Sequence, residues 1–90
     1  MKYLIEWWPK EPIEANMKKV LEIETERNKK KVAITESVFP IHYSLSDPHA
    51  VWIVEDDVKM SKISKWVNDY YKVASIKITP LLSRSEMEKL

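Results

Sequence analysis

His42 is the residue in this chain best suited to chemistry near neutral pH. An imidazole titrates close to that range, so it can act as a general acid or base or hold a ligand carbonyl. A hairpin closed around Asp47 sets His42 roughly opposite Trp52, within cross-strand contact. The plainer reading is a hydrogen-bonded histidine at a subunit contact, or an exposed one on an edge strand. His42, Asp47 and His49 are also all metal-ligand types. Their spacing matches no zinc pattern and the connecting turn splays them, so no metal is expected.

Glu6, Glu55, Asp56 and Asp57 invite a carboxylate-pair reading. If their strands run antiparallel, Glu6 and Glu55 are offset by about three residues, roughly 10 Å. Asp57 is better placed as a helix cap, and nothing marks the others as desolvated. Lys29-Lys30-Lys31, with Lys18 and Lys19 upstream, could form a phosphate or RNA patch. Lysines at a helix C-terminus also complement its dipole and stay solvated, which is the favoured reading. The basic–aromatic interleaving of RNA-binding sheets does not occur.

Four tryptophans among ninety residues are an excess. Trp7, Trp52 and Trp66, with His42, are the candidate ligand-binding residues, because an aromatic-lined cavity between helices and sheet suits a flat hydrophobic molecule. Tryptophan equally fills cores and dimer contacts, where its large area compensates for a small domain. Trp7 and Trp8 point to opposite sides of their strand, so at most one shares a face with Trp52.

Absences narrow the field further. Without cysteine there is no thiol nucleophile, disulfide or cysteine-based metal site. Without glycine there is no P-loop, dinucleotide fingerprint or nucleophile elbow, whose turns need backbones that only glycine tolerates. No cofactor is expected. A formal net charge of +1 argues against nucleic acid as the main partner. No apolar run approaches the roughly 20 residues of a membrane span, and Glu6 arrives too early for a signal-peptide core. A cytoplasmic location is expected. The lack of glutamine beside abundant Lys, Glu and Ile leans towards a thermophilic source.

The elements that must position these residues follow from periodicity. A strand over Lys2 to Trp8 is ended by Pro9, and Pro12 opens a helix to about Arg27. Ile13, Met17, Val20, Leu21 and Glu24 trace its inner stripe, and Asn28 is a plausible left-handed terminator. Val32 to Tyr43 reads as a strand interrupted by Pro40, which belongs at a sheet edge. Ala50 to Glu55 is apolar on both faces: Val51 and Ile53 point one way, Trp52 and Val54 the other. Asp57 caps a helix from Val58 to about Tyr71, with Ile63, Trp66, Val67 and Tyr70 buried. Ala74 to Leu81 is the last strand, and Ser83 with Glu86 forms a capping box for a short terminal helix.

The order βαββαβ plus a terminal helix is the ferredoxin-like α+β arrangement, one domain over residues 1–90. Two helices cover only one face of its four-stranded antiparallel sheet. The other face needs a cover, and the sheet of a second copy is the expected one. A chain this short removes only about 60–65% of its unfolded surface on folding, so that cover matters energetically.

Trp7, His42, Val54-Glu55-Asp56-Asp57, Trp66 and Thr79-Pro80-Leu81-Leu82, in that order, span nearly the whole chain. Together they resemble the domain of unknown function 3303 group, whose fold is similar to the dimeric α/β barrels. The chain departs from that pattern at Ile41, where the group has an aromatic residue, and at Ser46-Asp47-Pro48, where it has a glycine-rich turn. The resemblance implies a homodimer with paired sheets and implies no reaction. Three functions follow, in order of preference: a homodimer binding a small hydrophobic or aromatic molecule without catalysis, a structural or regulatory interaction domain, and a cofactor-independent monooxygenase- or isomerase-like enzyme using His42. The last rests on fold analogy alone.

Overall fold

In Lys2–Pro9 the odd-numbered residues are buried and their even-numbered neighbours less so, the period-two pattern of a strand with one face in a core. This strand is β1. The computed structural model describes residues 1–30 and 36–90. After β1 come α1 (Ile13–Lys30), β2 (Glu36–Tyr43), β3 (Ala50–Glu55), α2 (Ser61–Tyr70), β4 (Ala74–Leu81) and α3 (Arg84–Glu88). The strands form one open sheet in the order β2-β3-β1-β4, with every neighbouring pair antiparallel. The fold is α+β and compatible with the ferredoxin-like arrangement. Strands β1 and β3, the second of them apolar on both faces, lie in the centre. Pro40 and Pro80 sit on the two edges, where a missing N–H breaks no inner ladder.

Register assigns the faces. Ile5 faces Trp52 and Ile78, Trp7 faces Ala50 and Ile76, and Tyr3 faces Val54 and Pro80. These residues share one side, and the buried cluster joins Tyr3, Ile5, Trp7 and Val54 to Val20 of α1 and to Ile63, Trp66 and Tyr70 of α2. Leu4, Glu6 and Trp8 are absent from that cluster, so both helices cover the odd-numbered side of β1. Ile5, Val54 and Ile63 are 0% exposed, each contributing about 1.5–3 kcal/mol by leaving water. The uncovered face carries Leu4, Val51 and Ile53 at its middle.

Three local expectations are corrected. Ile13 and Leu21 are exposed rather than on the inner stripe of α1, while Asn16 and Val20 are buried. The cause is a polar tie: the Asn16 side-chain amide donates to the Lys10 carbonyl at 2.8 Å, which fixes the helix rotation against the end of β1. Hydropathy does not register such a bond. α1 also passes through Asn28 to Lys30, so Asn28 does not terminate it.

The second helix begins at Ser61, not Val58, and Asp56 shares its capping with Asp57. Buried Asp56 accepts from the backbone N–H groups of Lys62 (3.1 Å) and Ile63 (2.9 Å), and from that of Asp57 (2.7 Å). Asp57 accepts from the backbone and hydroxyl of Ser61 at 3.1 and 2.8 Å. Met60, in the left-handed region at φ 55°, turns the chain between the aspartates and the helix. That cost falls on methionine because the chain has no glycine.

Val32 to Thr35 of the expected second strand, and Lys31, lie outside the described residues. The Ser83–Glu86 capping box forms as the sequence predicts, with Ser83 Oγ accepting from the Glu86 N–H at 3.2 Å and Glu86 Oε1 from the Ser83 N–H at 3.1 Å. Among the described residues, no helix is long and apolar enough to cross a membrane.

Candidate functional site

The β2–β3 turn decides which side chains meet. Ser44 Oγ donates to Asp47 Oδ1 at 2.9 Å and accepts from the Ser46 N–H at 3.2 Å, while the Ser44 N–H donates to the His49 carbonyl at 2.8 Å. Closed this way, the hairpin pairs Tyr43 with Ala50 and His42 with Val51. The register differs by one residue from a turn centred on Asp47, and one residue exchanges the faces. His42 therefore lies with Val51 on the uncovered side, not beside Trp52. It is exposed, its ring stacks on Phe39 at 4.4 Å, and its Nδ1 is 2.6 Å from the Pro40 carbonyl oxygen. Register shifts on either side of Phe39 mark β-bulges, the second of them spanning Pro40.

On the covered side the same turn builds a pocket. Tyr43, Ala50 and Trp7 stand in one row across three strands. Ala50, between the other two in the row, is buried at 1% exposed. The Trp7 and Tyr43 rings approach edge to face over it, centroids 6.2 Å apart at 84°. Met17 of α1 and the turn residues Ser44, Asp47, Pro48 and His49 complete a cavity of about 190 Å³. Its walls are aromatic and thioether, with a carboxylate at the rim. Tyr43 is 53% exposed, and the partial burial of its ring, with Glu24 adding to it, pushes its hydroxyl above its ordinary range.

Trp52 and Trp66 meet one row further along, with ring centroids 5.6 Å apart at 63°, and Trp66 packs on Tyr70 at 4.7 Å. The Arg27 guanidinium lies 5.7 Å above the Tyr70 ring and pairs with Asp69. Burial first, then the Glu24 charge, pushes the Tyr70 hydroxyl up to about 12, against an opposing pull from Arg27. Burial also raises the Glu24 carboxyl. Of the four expected ligand residues, Trp7 lines the cavity, Trp52 and Trp66 contact each other in the packed row, and His42 belongs to the other face.

The uncovered face holds its own titratable pair. The His49 ring stacks flat on Trp8 at 4.5 Å and 1°, with His49 Nε2 3.3 Å from Glu6 Oε2. Glu6 faces Val51 and Glu55 faces Lys2. The two carboxylates are thus four residues apart along β1, about 13 Å, and not the three expected. His42, Asp47 and His49 do not converge, and among the described residues no group of three such side chains is placed to hold a metal.

Tyr43 and Met17 were not legible as pocket residues, since no local pattern along the chain brings a residue of α1 beside one of β2. No protein-family model matches the chain, and no curated protein matches it.

Proposed function

We propose that two copies of this chain pack sheet to sheet, in the manner of a dimeric α/β barrel, and that each binds a small hydrophobic or aromatic molecule without catalysing a reaction. The observation that carries the ligand is the cavity of about 190 Å³ between Trp7, Tyr43 and Met17. A concave site with aromatic walls and few polar groups is the general form of a small-molecule pocket. Of the titratable residues in its lining, His49 turns its Nε2 to Glu6, at 3.3 Å, rather than to Asp47.

The second copy is favoured by the make-up of the uncovered face. Leu4, Val51 and Ile53 form its apolar middle, and Glu6, His49 and Lys77 put both signs of charge on it. A net charge of +1 opposes association only weakly. The edge strand β2 adds Val38, Phe39 and Ile41, all at least 36% exposed. That strand also favours a second reading, a pure interaction domain, in which the apolar edge meets another protein and the cavity stays empty. His42 has no catalytic part in either reading.

Two measurements test the proposal. Sedimentation equilibrium of the native chain gives the mass of a dimer, and Ile53→Lys gives that of a monomer with unchanged circular dichroism. Calorimetric titration with benzyl alcohol gives one saturable site per chain, lost in Ala50→Leu. A native chain that sediments as a single subunit at high concentration removes the dimer. A titration without saturation removes the ligand and leaves the interaction domain.

A further inference from the structure

We propose that the cavity between Trp7, Tyr43 and Met17 selects a small organic cation, an alkyl- or arylammonium, through its two ring walls and the Asp47 carboxylate at its rim. This deepens the ligand-binding reading above and rests on it. Aromatic rings present a negative face, so a cation set against Trp and Tyr is attracted, and more strongly when partly desolvated.

Two such rings stand nearly perpendicular here, at 84°, which turns them into a corner rather than a stack. The lining contains a carboxylate, Asp47, and neither lysine nor arginine. Asp47 Oδ1 accepts from the Ser44 hydroxyl at 2.9 Å, so this carboxylate is fixed in the same turn that lines the pocket. A second carboxylate, Glu24, is close enough to act on the Tyr43 hydroxyl. The Met17 thioether supplies a polarizable wall that suits a soft cation or a ring. The His49 ring is stacked on Trp8, with Nε2 directed to Glu6 on the other side of the sheet. A volume of about 190 Å³ holds a single ring or a short alkyl chain with its ammonium head, and nothing much larger.

The test compares three probes of matched shape on the full chain by calorimetry: benzylammonium, benzyl alcohol and benzoate. Benzylammonium is expected to bind about five- to tenfold more tightly than benzyl alcohol, with benzoate weakest. Asp47→Asn shrinks the ammonium preference over the alcohol to less than about twofold. Tyr43→Leu weakens the ammonium more than the alcohol. Equal affinity of the native chain for ammonium and alcohol overturns the inference and leaves the ligand-binding reading standing. A preference that survives Asp47→Asn and Tyr43→Leu overturns it too. If none of the three probes binds, the ligand-binding reading fails and this inference falls with it.

Discussion

The two ends of the helix-covered sheet face are built differently. At one end Tyr3, Val54 and Ile63 are 2%, 0% and 0% exposed, the Tyr3 hydroxyl donates to the Asp57 carbonyl at 3.0 Å, and Asp56 collects three backbone N–H groups. At the other end Trp7, Met17 and Tyr43, with the residues of the β2–β3 turn, line a cavity of about 190 Å³. Both ends share β1 and β3, with Ile63 of α2 in the core at the first and Met17 of α1 lining the second. The β2–β3 turn makes the difference: Ser44, Asp47, Pro48 and His49 complete the pocket at one end only. A small sheet can thus concentrate its stability at one end and keep space for a guest at the other.

Breaking the tight end should have the largest effect. Asp56→Ala strands the N–H groups of Lys62 and Ile63 at a buried helix start, and about 2–4 kcal/mol of stability should be lost. Urea denaturation measures it; a loss within ordinary surface-mutation scatter means that Asp57 and solvent suffice as caps. Filling the hollow end is the sharper comparison. Ala50→Val adds two methyl groups in the row of Trp7 and Tyr43, which line the pocket, so its cost should stay below about 1.5 kcal/mol, while probe uptake falls. A cost typical of an overpacked core, about 2–3 kcal/mol, shows that this end is as full as the other.

The smallest effect concerns Glu24 at the fringe of the pocket. Its carboxyl is raised above the ordinary 4.5, so its contribution is fully present below the unfolded value and is lost as pH rises through the folded one. Glu24→Gln should therefore be more stable than the native chain at pH 7 and gain nothing at pH 4. Denaturant midpoints at those two values check the sign, and an equal gain at both pH values removes the desolvated carboxylate from the account.

Much of this architecture is legible along the chain. Pro40 and Pro80 mark edges because a residue without an N–H cannot serve an inner ladder. Val51 to Val54 marks a centre because it is apolar on both sides. The Ser83–Glu86 box is local hydrogen-bond chemistry and forms as read. What misleads is any property set by a bond to a distant backbone atom. Asn16 is buried because its side-chain amide donates to the Lys10 carbonyl, and Asp56 caps because the chain folds back through Met60 to present Lys62 and Ile63. The pocket is less legible still, since Trp7, Met17 and Tyr43 come from three different elements.

By itself the sequence determined the strand and helix order, the central and edge positions, and the excess of aromatic side chains, because periodicity and missing N–H groups act over a few residues. Only the tertiary structure decided which aromatics face one another. The reason is the period of two in a strand. A turn closed by Ser44 and Asp47 shifts β2 by one residue, which carries His42 to one face and brings Tyr43 over Ala50 on the other.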